Sequence, residues 1–290
     1  MSIVLVSIII PTYKDWDRLL LCLKALEEQT FPASDFEIIV INNNPADLVP
    51  ENYPAPANCQ IVTEARPGSY AARNAGIRLA KGDIIGFTDS DCIPAKDWIY
   101  NAVDYLKKHK DVSRIAGNIE LFFKSNDLTP AELYEKVYAF KQEEIVKSGL
   151  SVTGNMFTYK HVFDKVGIFN EELLSGGDYE WSKRASNAGF KIVYGHNVVI
   201  KHPARYKMSD LIKKTKRVVG GDNLSKTMAI LDLMKNLKPP LRIAFHQIKK
   251  YGSDLSFSQK IKVYSIKYYL AITCSVEKIR ISYGNQANRE

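Results

Sequence analysis

The sequence has few cysteines, and none of them is paired by spacing. Its 290 residues include 4 Cys, at positions 22, 59, 92 and 274, with no C-x-x-C spacing. Neither a zinc cage nor a disulfide framework is indicated, and a reducing compartment is the simpler expectation. No stretch reaches the ~18 apolar residues that span a bilayer. The nearest, 264–276, is short and carries Lys267. The opening MSIVLVSIIIPTYK lacks a basic leader and a small-residue cleavage site, unlike a signal peptide, so a cytoplasmic chain is expected. Internal repeats and low-complexity tracts are missing. What is present is ordinary: 46% hydrophobic and 25% charged residues, with 16 Gly and 12 Pro. That excludes wholesale disorder and collagen-like repeats and supplies a substantial core for one large or two small domains.

Charge is divided unevenly. Residues 201–290 hold 19 Lys+Arg against 6 Asp+Glu, a balance of +13, whereas residues 1–200 hold 21 against 26, a balance of −5. The two sum to the formal net charge of +8. A basic tail on an acidic body points to an anionic partner: lipid head groups, nucleic acid or a phosphorylated substrate.

Hydrophobic patterning predicts an α/β chain. Residues 4–10 form a β-branched run, expected as a strand buried on both faces and ended by Pro11. A helix follows over 16–29, with Asp15 at its N-cap position. Strands are expected over 36–41, 60–63 and 83–88, and a helix over 68–80. This rhythm is that of a mainly parallel sheet covered by helices. Polar clusters follow the strands: Thr12-Tyr13, then Asn42-Asn43-Asn44, then Asp89-Ser90-Asp91. Ligands of open α/β sheets bind at the carboxyl ends of strands, so one ligand could meet all three. Further on, helices are expected over 95–108, 129–147 and 176–188, and strands over 112–123, 156–159, 191–194 and 198–200. Beyond 205 the pattern is helical and basic, over 209–219, 223–234 and 258–276.

Four features carry chemistry. Asp89 and Asp91 sit one residue apart after an apolar strand, as oxygen ligands for Mg²⁺ or Mn²⁺ would; alone, the same pattern is as readily an Asp turn. Gly68-Ser69 opens a helix that carries Arg73 one turn in, which suits an anion, or is an ordinary helix start. Asp178 follows Gly176-Gly177 at a helix N-terminus, where helix N–H groups favour the carboxylate and a general base could act; the alternative is a plain cap. His202 follows a strand and could complete a metal site, though a lone His is more often uninvolved.

Together, VSIIIPTYK (6–14), ARPGSYAARNAGIRLAKGDIIGFTDSDCIP (65–94), TGNMF (153–157), FDKVGIFNEELLSGGDYEWSKRASNAGFKI (163–192) and VIKHPAR (199–205) resemble the family 2 glycosyltransferases of the GT-A fold, a Rossmann-like nucleotide-diphospho-sugar transferase architecture. The resemblance covers residues 1–205, with 1–94 as the nucleotide-binding half and 95–205 as the acceptor half; 206–290 form a basic helical region outside it. It implies an inverting transfer of a sugar from a nucleotide-diphosphate sugar to a hydroxyl acceptor, in cell-surface polysaccharide or glycolipid assembly. Pro11, Thr12 and Tyr13 match the loop that holds base and ribose. Arg66, Arg73, Asp89 and Ser90 fall on the nucleotide-sugar site. Asp91, Asp89 and His202 match the metal site for Mg²⁺ or Mn²⁺, and Asp178 matches the catalytic base. Gly177, Glu180, Trp181 and Asn155 fall on the acceptor side.

Two departures stand out. Asn42 occupies the position where the family usually has a base-binding Asp; its amide can still meet uracil, which keeps UDP-sugars as the favoured donors. Gly177 stands where the motif commonly has Glu, and Glu180 is the alternative acid. Both departures leave room for an inactive scaffold of the same fold. A sugar-phosphate nucleotidyltransferase would have a Gly-rich loop in place of Pro11-Thr12-Tyr13-Lys14. Nucleic-acid binding through Tyr251, Phe257, Tyr264, Tyr268 and Tyr269 lacks any recognised motif. The basic region fits either an anionic membrane that carries a lipid-linked glycan acceptor or a solvated basic face over a small helical subdomain. There, residues 209–219 set Leu211, Ile212, Thr215, Val218 and Val219 on one face beside Lys213, Lys214, Lys216 and Arg217.

Overall fold

The computed structural model describes residues 6–219, 225–239 and 241–286. Val4 and Leu5 of the expected first strand, and Asn223 and Leu224 of the expected helix over 223–234, lie outside them. In chain order the elements are β1 (Val6–Thr12), α1 (Trp16–Glu27), a 3₁₀ turn (Ala33–Asp35), β2 (Phe36–Asn42), β3 (Cys59–Thr63), α2 (Ser69–Leu79), β4 (Ile84–Thr88), β5 (Ile93–Pro94) and α3 (Trp98–Lys108). Then come β6 (Arg114–Phe122), α4 (Pro130–Tyr138), α5 (Gln142–Val146), β7 (Asn155–Tyr159), α6 (Lys160–Val166), α7 (Gly177–Asn187) and β8 (Ile192–Pro203). The last four are α8 (Met208–Val219), α9 (Lys226–Asn236), α10 (Leu241–Tyr251) and α11 (Phe257–Ser282).

The chain divides into two compact units. The first comprises Met1–Glu120, Phe140–Glu172 and Gly177–His202. Residues Leu121–Ala139 and Leu173–Gly176, expected from sequence within the first domain, group instead with Pro203–Glu290 in the second.

The sheet runs β3-β2-β1-β4-β7-β6-β8-β5. The ladder β3-β2-β1-β4 is parallel, and beyond it β7 pairs antiparallel with both β4 and β6, and β5 with β8. The sheet is therefore mixed, with the nucleotide-type parallel half expected from its Val/Ile runs. Those runs are buried because both faces are covered: Ile8, Ile10, Ile38 and Val40 pack with Leu19, Leu23 and Leu26 of α1 and with Trp98 and Leu106 of α3. Strand order reverses between β1 and β4, the kind of point where α/β sheets open a ligand crevice.

Local differences from expectation have physical causes. Pro11 does not end β1; it sits opposite Ile41, and Asn43 N–H to Thr12 O continues the pairing. The helix expected over 129–147 is broken, because Phe140 adopts φ 48° between α4 and α5. The two short strands expected over 191–200 are one, β8, which runs through Gly195-His196-Asn197. Asp15 stands at the N-cap of α1 without capping it through its side chain, because its carboxylate is engaged by Arg18 Nε at 2.6 Å and Ser90 Oγ at 3.0 Å.

In the second unit, α4 starts with Pro130 and a complete capping box between Thr129 and Glu132. Leu133 and Val137 of α4 pack with Ile248, Leu255 and Val263, and Ala131 packs with Leu211, Ile266 and Leu270. The apolar face of α8 is thus largely spent on this helical core: Leu211 and Val219 are buried and Ile212 joins the second cluster. That removes α8 as the membrane-facing helix expected from its pattern. Of the aromatics offered to nucleic acid, Tyr251 and Tyr264 lie against the first of these clusters, whereas Phe257 and Tyr269 are exposed. Buried Glu135 holds the unit together by accepting from Arg205 Nη1 at 2.6 Å and from its backbone N–H at 2.8 Å, with Lys214 Nζ at 3.6 Å. Burial among these cations pushes the Lys214 pKa down to about 8.

Candidate functional site

All the nucleotide-sugar, metal, catalytic and acceptor residues expected from sequence lie in the first unit. Their positions follow from three strand ends and two helix starts.

At the end of β4, Asp89 accepts from Arg73 Nη2 at 2.5 Å. Arg73 lies on α2, almost wholly buried, with its guanidinium 5.9 Å above the Tyr70 ring. Tyr70, three residues earlier on the same helix face, donates its hydroxyl to Asp178 Oδ1 at 3.2 Å. Asp178 Oδ2 accepts from Thr153 N–H at 3.4 Å. Next along, Gly154 lies against Asp89, where a Cβ would come 3.3 Å from Oδ2. Asp89 and Asp178, 89 positions apart, are thereby bridged twice: through Arg73 and Tyr70, and through Thr153-Gly154.

The helix carrying Asp178 is fixed by its buried neighbours. Trp181 is wholly buried, stacks on Phe163 at 4.4 Å and donates Nε1–H to Gly167 O at 2.8 Å. Buried Arg114 of β6 donates to Ser182 O at 3.1 Å and to Ser186 Oγ at 2.7 Å; desolvation brings its pKa down to about 10. With the Trp181 side clamped inward, the first turn of α7 directs Asp178 to Tyr70. Its carboxylate also accepts from Tyr179 N–H at 3.0 Å. Burial raises the Asp178 pKa above the ordinary carboxylate value, with Arg73 and these hydrogen bonds opposing.

Gly177 explains one departure. A Cβ there would come within 2.8–2.9 Å of the Tyr70 ring. The ring that holds Asp178 occupies the space an acidic side chain would need.

Asp91, two residues beyond Asp89, faces a different set. Its Oδ1 lies 3.7 Å from His202 Nε2, and its Oδ2 lies 3.3 Å from Arg18 Nη1. Asp91, Cys92 and His202 present ligand atoms within 4.8 Å of one another. Burial raises the Asp91 pKa; His202 and Arg18 lower it, and Asp89 and Asp15 raise it. Cys92 is buried in the core and its thiol pKa is driven up by burial, so it is a neutral, soft group. Of the three, Asp91 offers a carboxylate oxygen and His202 an imidazole nitrogen. The other expected metal ligand, Asp89, is engaged by Arg73.

Three buried polar atoms cluster by element here: Thr12 Oγ1 at the end of β1, Thr88 Oγ1 at the end of β4, and Arg73 Nε. Among the described residues they have no hydrogen-bond partner, although buried polar groups are normally paired. Tyr13, next along, is exposed, and Pro11 is partly buried. These are groups that a polar ligand at the β1/β4 crevice would satisfy.

Six expected residues are engaged elsewhere. Asn42 is buried, and its amide is spent on its own loop: Nδ2 donates to Asp47 O at 2.7 Å and Oδ1 accepts from Asn44 N–H at 3.0 Å. Asn155 is a core strut, not an acceptor contact; it accepts from Trp98 Nε1 at 2.9 Å and donates to Asn118 O and Val198 O. Trp181 is likewise interior, for the reasons given. Glu180 pairs with Arg184 at 2.6 Å one turn on, whereas Asp178 meets Tyr70 and Thr153. Arg66 is largely exposed, paired with Glu64 and Glu171. Ser90 bridges to Asp15.

Sequence reasoning passed over two positioning residues. Asn43 donates to Glu64 O and Arg66 O and accepts from Gly68 N–H at 2.8 Å, which ties the start of α2 to β2. Asn74, wholly buried, exchanges hydrogen bonds with Phe169 N–H and O. Their signal was visible as polar residues inside otherwise apolar or loop segments, where a buried amide must be bonded.

The sequence profile described as glycosyl transferase family 2 matches residues 7–166. The glycosyltransferase AglE of Haloferax volcanii is 36% identical over 222 residues, covering 74% of this chain and 72% of that protein. A protein of Methanococcus voltae is 24% identical over 228 residues, covering 72% of this chain and 70% of its own. It is named dolichyl N-acetyl-α-D-glucosaminyl phosphate 3-β-D-2,3-diacetamido-2,3-dideoxy-β-D-glucuronosyltransferase. Among solved structures, the mannosyltransferase PcManGT of Pyrobaculum calidifontis, in complex with GDP-Man and Mn²⁺, shares the fold. Its TM-score is 0.56 at 17% identity, covering 98% of this chain and 76% of that one.

Proposed function

The chain belongs to glycosyl transferase family 2, and from that premise we propose an inverting transfer of a sugar from a nucleotide-diphosphate sugar to a hydroxyl acceptor, with Asp178 as the general base. The observation that carries this reading is the double bridge between Asp89 and Asp178. It puts an acid suited to proton transfer beside an Asp–Arg pair suited to a donor.

Asp178 takes the proton from the acceptor hydroxyl. That oxygen forms its bond to the anomeric carbon while the bond from that carbon to the diphosphate oxygen breaks on the opposite face. One displacement inverts the centre, so an α-linked donor yields a β-linked product. A carboxylate with a raised pKa is a stronger base than an ordinary one. Tyr70, Thr153 and Tyr179 hold it in place. Arg73 orients Asp89, and the unpaired Thr12, Thr88 and Arg73 atoms receive polar groups of the nucleotide sugar.

Asp91 and His202 would hold Mg²⁺ or Mn²⁺. The donor set fits a divalent cation: a carboxylate crowded by Asp89 and Asp15, beside an imidazole too far for a direct hydrogen bond. An imidazole ligand favours Mn²⁺ over Mg²⁺. Bound there, the ion supplies charge stabilisation to the departing diphosphate.

UDP-sugars are the first donors to test. The name of the Methanococcus relative supports a lipid-linked acceptor in glycolipid or polysaccharide assembly, and we propose that the transfer takes place at the cytoplasmic face of a membrane. The metal assignment is tested by calorimetry of donor binding with Mn²⁺. Asp91→Ala weakens metal-dependent binding by about tenfold or more; binding as tight and as metal-dependent as wild type removes Asp91 from the site.

A further inference from the structure

The second unit carries an apolar surface that its own core leaves exposed. On α9, Ala229, Asp232 and Asn236 face α11, with Asp232 and Asn236 both bonded to Ser275. The opposite side shows Leu231 at 57% exposure, Met234 at 61% and Leu237 at 58%. On α11, Ile266 and Leu270 turn to the core. Away from them, Tyr269 and Val276, with Tyr283 directly after the helix, are 52%, 52% and 59% exposed. Spaced seven residues apart, these three lie in one row along the helix.

Contacts at both ends of α9 tie it to α11. Lys226 Nζ of α9 sits 4.5 Å over the Tyr283 ring, and Tyr268 Oη donates to Leu237 O at 2.8 Å. A face of this kind on a soluble unit marks an interaction site.

Its charge selects the partner. Lys226, Lys235 and Lys238 are exposed around the apolar row of α9. The acids of the same two helices turn inward: Asp232 onto Ser275 and Lys278, and Glu277, buried, onto Arg280. Apolar side chains among lysines, with tyrosines at the edge, are the composition of an interfacial helix surface. A second copy would bring the same cationic region against itself, which like charge opposes. No helix among the described residues is long and apolar enough to cross a membrane, so this face lies on a surface.

We propose that the outer faces of α9 and α11 dock this protein on an anionic lipid membrane. Vesicle binding needs neither donor nor turnover, so this surface and the assignment of Asp178 stand or fall separately.

The full chain is floated with phosphatidylcholine vesicles, with and without phosphatidylglycerol, at low and high salt. Wild type partitions onto the anionic vesicles and is released by salt. Leu231→Ser/Met234→Ser/Leu237→Ser lowers that partition by about tenfold or more. Lys235→Glu/Lys238→Glu does the same. Both variants replace exposed side chains, and their thermal unfolding matches wild type. No binding by wild type, or equal binding by either variant, overturns the proposal. So does a wild-type dimer that the triple serine variant makes monomeric, since a second copy would then cover the face.

Discussion

Asp178 illustrates how burial tunes one carboxylate. Its pKa is raised by desolvation, so the fold disfavours its ionised form. That cost is absent at a pH below the ordinary value of 3.8 and complete once the pH exceeds the raised folded value. Asp178→Asn therefore raises the melting temperature at neutral pH, and the gain shrinks as the pH is lowered toward 3.8; thermal unfolding across that range checks it, and a destabilised variant at neutral pH contradicts it. Gly177 makes the opposite point about consensus. Gly177→Glu would match the commoner family residue, yet its side chain meets the Tyr70 ring. Displacing Tyr70 removes a hydrogen bond that holds Asp178, the proposed base, so turnover falls by about tenfold or more. Unimpaired steady-state turnover in Gly177→Glu would show that the ring moves aside freely.

At the scale of elements, α4 depends on charge buried within the second unit. Glu135 is pushed up by burial, but Arg205 and Lys214 outweigh that and hold its pKa below the ordinary 4.5. Its stabilisation is present above pH 4.5 and is lost as the pH falls through the lowered folded value. Glu135→Ala leaves Arg205 and Lys214 without their carboxylate and costs about 3 kcal/mol, read by denaturant unfolding at pH 7; a loss under half of that would make the pair dispensable. The strands were legible as Val/Ile runs, and the motif residues at their ends were legible by order. Burial was not. Trp181 and Asn155 lie in motif segments, yet they face the core, because α7 turns its Trp181 side to Phe163 and β7 is buried along Asn155–Thr158, with Asn155 bonded to Trp98. Phe140 was equally hidden: nothing local to an aromatic residue announces a positive φ, and its ring lies against His202 at 4.5 Å, a contact distant in sequence. The amphipathic pattern of α8 was read correctly as a pattern, but its apolar side met other helices instead of lipid.

For the whole molecule, composition already separated an acidic body from a basic tail. The body supplies the end of β4, where Asp89 and Asp91 meet their partners, and the first turn of α7, which brings Asp178 to Tyr70; the tail supplies a cationic helical unit. The central claim is a division of labour within the first unit: Asp178 acts on the acceptor proton, and the Asp89–Arg73 and Asp91–His202 pairs hold the donor. It is tested most directly by measuring single-turnover transfer and donor binding with Mn²⁺ side by side in Asp178→Asn. Transfer falls by about 10²–10⁴-fold with donor affinity within about twofold of wild type. Transfer at the wild-type rate, or a collapse of donor binding to match the lost transfer, would contradict it.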